Sequence, residues 1–243
     1  MITSRLRRVT DPQDPAIQAF GQLQNRVYFE PDMLIPAQYI AQMLAQPSGT
    51  RRDGLVVAEN DSGELLGGTL FHYLPDADSG FGSFSGIRPD ARGQGLLRRL
   101  DAERWRVLDE LAGHPCPAVF IDVANPQRET PKQQEQERRA GSDALERRRK
   151  FHALGFRTVD VVYWQPVGGE NGGPVKDMDL LVNLREPAPQ IETSKVVATM
   201  RAYWTPWMGP ERAARYAREL EERAGGRTEL PLLDAWEGPQ GAS

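Results

Sequence analysis

The chain has 243 residues, 39% of them apolar and 26% charged, the balance of a soluble globular protein rather than of a disordered or membrane-embedded one. Its formal net charge of -4 gives no electrostatic reason to expect a polyanion, so nucleic acid is not an expected partner. Cys116 is the single cysteine, which excludes an intrachain disulfide and a cysteine-based zinc cluster; with no apolar run long enough to cross a membrane and no signal-like start, the expectation is a cytoplasmic protein without membrane contact or metal.

In chain order, "SRLRRVTD" reads as an edge strand, and "DPAIQAFGQLQNRVYF" as a helix with Asp14 as cap and Pro15 as its first residue. A second short helix is expected in "IPAQYIAQMLAQ", where Tyr39, Met43 and Leu44 share a face. The runs "GLVVAEN" and "LLGGTLFHYL", joined by a polar turn, predict a hairpin, and "FGSFSGIR" predicts a third antiparallel strand. Leu97, Leu100, Leu108 and Leu111 stripe a helix from about Gly93 to Ala112. The apolar run "PAVFIDVAN" follows, and strand, helix, strand in this order predicts two parallel neighbours.

Residues Gln127 to Gly141 carry almost no apolar side chain, which predicts an exposed loop, with a flap over a binding site as the functional alternative. A helix is expected in "SDALERRRKFHALGF", capped by Ser142 and stopped at Gly155, with "ERRRK" as a solvated face. Two strands, "RTVDVVYWQP" and "VKDMDLLVNL", should pair around the turn "VGGENGGP". After the linker-like "EPAPQ", Val196, Met200, Tyr203 and Trp207 mark one helix and "GPERAARYARELEERAGG" a second. The expected organisation is an α/β domain over 1–186 and a helical extension over 187–243.

The stretch "IRPDARGQGLLRRL" places glycines at 93 and 95 just ahead of a helix. Unpaired N–H groups at a helix start favour an anion, and glycines let the backbone approach a phosphate. Arg92, Arg98 and Arg99 can add charge-assisted contacts. The loop is neither a P-loop, lacking Lys-Ser or Lys-Thr, nor a dinucleotide fingerprint, lacking a third glycine; a plain helix-capping turn is the competing reading.

This loop resembles the acyl-CoA pyrophosphate loop of the GNAT superfamily of N-acetyltransferases, Arg or Gln, two residues, Gly, one residue, then Gly or Ala. Arg92 and Gly95 match, and Leu97 stands where a small residue is usual. "HALGF" resembles the superfamily's later Leu-Gly-Phe motif, with Phe151 where a tyrosine is common. The resemblance covers about Arg5 to Leu184. It implies a GNAT-like mixed, mostly antiparallel sheet with flanking helices and splayed fourth and fifth strands, here "FGSFSGIR" and "VFIDVAN".

What the resemblance implies for chemistry is transfer of an acetyl group from acetyl-CoA to a primary amine of a small molecule or peptide. The attack is direct, in a ternary complex, with no metal. The implied cofactor-binding residues are Gly86 and Ile87 at the thioester, and Arg92, Gly93, Gln94, Gly95, Leu96, Leu97 and Arg98 at the pyrophosphate, with Asn125 and Phe151 nearby. Small glycines at 82 and 86 would let the pantetheine arm pair with the strand.

An alkyl amine is protonated at neutral pH, so a base is required, and Asp122 and His72 are the candidates. Since Phe151 cannot donate a proton, either the thiolate leaves unassisted or His152 or Tyr163 serves as acid. The aromatic stripe Tyr203, Trp204 and Trp207 is expected in a core or interface. It either covers the acceptor end of the cleft or packs against a second subunit in a homodimer. The alternative function is a non-catalytic acyl-CoA-binding or sensing module.

Overall fold

The protein is described from a computed structural model covering residues 3–28, 34–46, 48–139, 141–167 and 173–239. Its strands are β1 (Arg5–Val9), β2 (Arg52–Glu59), β3 (Leu65–Leu74), β4 (Ser79–Ile87), β5 (Ala118–Ala124), β6 (Arg157–Val159), β7 (Met178–Leu184), β8 (Gln190–Glu192) and β9 (Glu229–Leu233). The helices are α1 (Pro15–Val27), α2 (Ala37–Ala45), α3 (Leu96–Ala112), α4 (Pro131–Arg139), α5 (Ala144–Ala153), α6 (Thr193–Met208) and α7 (Pro210–Arg223). One nine-stranded sheet in the order β1-β2-β3-β4-β5-β7-β6-β9-β8 carries them. Among the described residues β4 and β5 are its parallel pair, and every other ladder is antiparallel.

Alternation along the strands fills both faces, as a two-sided core requires. Val56 and Ala58 of β2, with Val119, Ile121 and Val123 of β5, meet Leu96, Leu100, Val107 and Leu108 of α3. On the other face Leu55, Val57 and Leu70 meet α1 and α2 through Ile17, Phe20, Ile40 and Met43. Further along that face Phe81 and Phe120 meet Val196, Met200 and Trp204 of α6 and Tyr216 and Leu220 of α7. This second face therefore carries two helical packs. His72 lies on β3 between Leu70, which belongs to one, and Leu74, which belongs to the other.

The structure corrects several local expectations. Residues 131–139 form a helix, not a loop. Thr130 and Gln133 cap it reciprocally, Gln133 N–H donating to Thr130 Oγ1 at 3.3 Å and Thr130 N–H to Gln133 Oε1 at 2.8 Å, with Pro131 as first residue. Buried Glu137 then takes a bidentate bond from Arg147, at 2.7 and 3.0 Å. The cap of α5 is Asp143, whose side chain accepts from Glu146 N–H at 2.6 Å, rather than Ser142. Helix α3 starts at Leu96, not Gly93, because Gly93 and Gly95 both hold left-handed φ.

Arg148, expected on a solvated face, is fully buried and reaches Asp179 at 2.8 Å and Thr158 Oγ1 at 3.1 Å. Strands β6 and β7 do pair, but at Arg157↔Val182 and Thr158↔Leu181 alone, with a further bridge at Gln165↔Val175. The free edge of β6 takes β9, a strand the sequence reading did not contain, and β9 pairs in turn with β8. Most of the expected turn over 167–174 lies outside the described residues.

Candidate active site

Strands β4 and β5 pair at Gly80↔Val119, Phe81↔Phe120 and Gly82↔Ile121, and their ladder ends there although β4 runs on to Ile87 and β5 to Ala124. At the same level the β3–β4 register shifts, with Phe71 opposite Gly82 but Leu70 opposite Phe84. Ser83 is therefore the extra residue of a β-bulge, the device that bends one strand away from its neighbour. The two strands part at Ser83, and Asp122 is the first residue of β5 beyond the last rung.

At the far end of β4 the chain turns through Pro89–Ala91 into the glycine loop. Gly93 has φ 76° and Gly95 φ 75°, and a Cβ on either would have no atom within 4 Å. Backbone conformation demands glycine at both positions, and their outer faces are open. Gly95 caps α3 without a side-chain bond, so the amides of Leu96, Leu97 and Arg98 open the helix with no intrahelical acceptor.

Arg92 ties the loop down, Nε donating to Ile87 O at 3.3 Å and Nη1 to Gly141 O ahead of α5. Gln94 is half-buried, Leu96 packs into the α3 core, Leu97 is half-buried and Arg98 is exposed. Arg99 points elsewhere, holding Ser4 O at 2.8 Å.

The glycines of β4 have packing reasons. A Cβ on Gly86 would sit 2.9 Å from Phe84 Cε1 and 3.2 Å from Val27 Cγ2, and one on Gly82 would sit 3.1 Å from Ile121 Cγ2. Ile87, half-buried, closes the strand.

His72, only 2% exposed, has both ring nitrogens engaged: Nδ1 lies 2.5 Å from Asp53 Oδ1 and Nε2 lies 2.6 Å from Ser83 Oγ. Asp53 faces His72 across the β2–β3 ladder and is also held by Arg51 Nε at 2.8 Å. Burial pushes the Asp53 carboxyl up, but the bonds and charges of His72 and Arg51 outweigh it and hold it below the usual carboxylate range. Burial lowers the His72 pKa below the usual histidine value despite the opposing pull of Asp53. Neutral His72 beside ionised Asp53 keeps its proton on Nδ1, which leaves Nε2 as an acceptor for the Ser83 hydroxyl.

Tyr203 of α6 closes this chain. Ser83 Oγ donates to its hydroxyl at 3.2 Å, so the single Ser83 proton can turn to Tyr203 or to His72 Nε2, and the Tyr203 ring stacks on Phe81 with centroids 3.7 Å apart. Burial first, then the charge of Asp122, raises the Tyr203 pKa. Asp122 itself is partly exposed, and burial pushes its carboxyl up to about 6, against a 3.4 Å bond from the Tyr163 hydroxyl. Ser83, His72, Tyr203 and Asp122 thus gather where the strands part, between the two helical packs.

Apart from Tyr163, which touches Asp122, the other expected residues lie apart from this group. Asn125 caps the turn after β5, donating from Nδ2 to Asp179 at 2.9 Å and accepting from Gln127 N–H at 2.9 Å. Phe151 packs edge-on against Phe156, with centroids 5.7 Å apart. His152 lies against Trp236 and 3.7 Å from Asp234. Tyr163 is fully buried, and burial holds its pKa well above the usual tyrosine value.

Sequence reasoning missed Asp53 and Ser83 as site residues; Tyr203 it placed in an aromatic stripe that either covers the acceptor end of the cleft or packs against a second subunit. The available signal was His72 itself, an ionisable group in phase with the inward Leu70 and Leu74, which requires a buried partner.

No protein-family model matches the chain. No curated protein matches it either. Among solved structures, it is similar to a protein from Bacteroides thetaiotaomicron described as an acetyltransferase of the GNAT family, with a TM-score of 0.50 at 16% identity over 76% of this chain and 89% of that one. It is also similar to a GNAT-family acetyltransferase from Staphylococcus aureus Mu50, with a TM-score of 0.49 at 9% identity over 76% of this chain and 100% of that one. A third, assigned to the same family and from Desulfovibrio desulfuricans, gives 0.47 at 17% identity over 75% and 99%. Over the span shared with the Bacteroides protein, the chain has the fold of a GNAT acetyltransferase.

Proposed function

We propose that the protein is an N-acetyltransferase that moves an acetyl group from acetyl-CoA to a primary amine of a small molecule or peptide. The observation that carries this reading is the parting of β4 and β5 after Gly82 and Ile121, followed directly by the glycine loop that heads α3. A split parallel pair leaves main-chain groups along Ser83–Gly86 and at Asp122–Val123 without a ladder partner across the split, while Ile87 O is taken by Arg92 and Ala124 O by Arg148, and an extended pantetheine arm is a chain of suitable length and polarity to lie between them.

The loop residues fit the diphosphate end. With open backbone faces at Gly93 and Gly95, the amides of Gly93 to Arg98 can close on an anion without a side chain intervening, and exposed Arg98 adds charge. Arg92 acts by holding the loop to Ile87 and Gly141. Gly86 and Ile87 stand at the thioester end, and Phe151 and Asn125 support the α5 and β5 sides. Bound acetyl-CoA supplies an activated acyl group, and a thiol with a pKa near 8.5 is a fair leaving group without an acid, which suits Phe151.

For the incoming amine, Asp122 is the base. Partly exposed beyond the last rung, with its carboxyl pushed up to about 6, it is ionised at neutral pH and closer in basicity to the amine than an ordinary aspartate. His72 reaches the cleft only through the Ser83 hydroxyl.

The test is product formation. Incubation with acetyl-CoA and a panel of diamines, amino sugars and short peptides, followed by mass spectrometry, should yield at least one N-acetylated amine. Bound CoA with no acetylated product from any class would contradict the reading.

A further inference from the structure

We propose that Ser83 is an activated nucleophile, with His72 as its base and Asp53 as the residue that positions His72, and that through it the protein also hydrolyses acyl thioesters when no amine occupies the site. The source of the thioester rests on the function proposed above; the activation of Ser83 does not.

The geometry is that of a nucleophile, a base and an orienting carboxylate in hydrogen-bonded series, with contacts of 2.6 and 2.5 Å. Placement adds to it. Ser83 is the bulge residue at which β4 leaves β5, and it is partly exposed, whereas the histidine behind it is buried. Arg51 Nε and His72 Nδ1 both meet Asp53 Oδ1, at 2.8 and 2.5 Å, so the carboxylate holds the imidazole from behind with Nε2 2.6 Å from Ser83 Oγ. Burying the His72 ring and the Asp53 carboxylate, whose side chains are 3% and 4% exposed, carries a desolvation cost that an apolar pair would not. A hydroxyl aligned on that histidine at the cleft is what the cost secures.

The step balances without an oxidant or a metal. Ser83 Oγ bonds to the thioester carbonyl carbon while its proton passes to His72 Nε2; the carbon–sulfur bond breaks, and the departing thiolate takes that proton. Water then attacks the acyl-Ser83 ester, giving a proton to His72, and Ser83 Oγ leaves with it. The sum is thioester plus water to carboxylic acid plus thiol.

A fluorophosphonate probe, which phosphonylates activated serines, tests the claim without acetyl-CoA. The expected result is one adduct per chain, mapped to the Ser83 peptide, absent from Ser83→Ala and slowed about a hundredfold in Asp53→Asn, with CoA affinity by calorimetry unchanged in the latter. Incubation with acetyl-CoA alone should also leave one acetyl group on Ser83 or release thiol continuously, and Ser83→Cys, isosteric and nucleophilic, should still be acetylated. Thermal melts of each variant separate loss of chemistry from loss of fold. A folded protein that binds CoA and acetylates amines but shows neither adduct nor acetyl-Ser83 would overturn the inference and leave the transferase reading standing. Labelling of Ser83 in a protein with no affinity for CoA would support the nucleophile and overturn the transferase reading instead.

Discussion

Asp122 shows how one carboxylate is set by its surroundings. Its pKa rises from 3.8 to about 6 on folding, so the folded state favours the protonated form. The stability it contributes is complete below the unfolded value and is lost as pH climbs through about 6, so at neutral pH the charged group is a net cost. Asp122→Asn should therefore raise the unfolding free energy at neutral pH by about 1–2 kcal/mol while lowering acetyl transfer about a hundredfold, with CoA affinity unchanged. Denaturant titration beside steady-state rates checks both, and the wild-type rate should fall as pH drops below about 6. A variant both less stable and fully active would remove Asp122 from the role. Asp122 and His72 were legible in the sequence because each interrupts an apolar strand. Ser83 and Asp53 were not, because a serine among glycines and an aspartate at a strand start are ordinary until the register sets them on either side of His72.

Among the elements, those with a strong apolar period were legible and those stabilised by polar contacts were not. Helix α3 follows from its leucine stripe, and β5 from its continuous apolar run. Helix α4 has no apolar face; its cap at Thr130 and Gln133 and the buried Glu137–Arg147 pair hold it, and composition alone reads such a segment as loop. The Thr-Pro-Lys-Gln pattern was nevertheless present as a capping-box signature. Thr130→Ala should lower stability by about 1 kcal/mol and speed amide exchange within 131–139, measured by hydrogen–deuterium exchange. Unchanged exchange would mean that the cap does not hold the helix. Strand β9 was missed for another reason: its prolines and charges read as tail, and only the free edge of β6 gives it a place.

At the scale of the molecule, the second face of the sheet is divided. Helices α1 and α2 cover its first strands, α6 and α7 cover its later ones, and the polar group of Ser83, His72, Tyr203 and Asp122 lies between them. Helix α6 belongs to that arrangement through its side chains. Thr199 Oγ1 lies 2.8 Å from Ser79 Oγ, Lys195 Nζ donates to Ala77 O at 2.6 Å, Trp204 is fully buried, and Tyr203 stacks on Phe81. The residues after 187 thus contribute a hydroxyl to the site as well as packing to the core. Binding of the CoA moiety by the glycine loop and the parted strands is decided by calorimetric titration of the 243-residue chain with CoA. Saturable binding to one site per chain is expected, with a dissociation constant on the order of micromolar, abolished in folded Gly95→Val, whose β-branched side chain cannot hold the left-handed φ. Absence of saturable heat, or equal affinity in the variant, would contradict it.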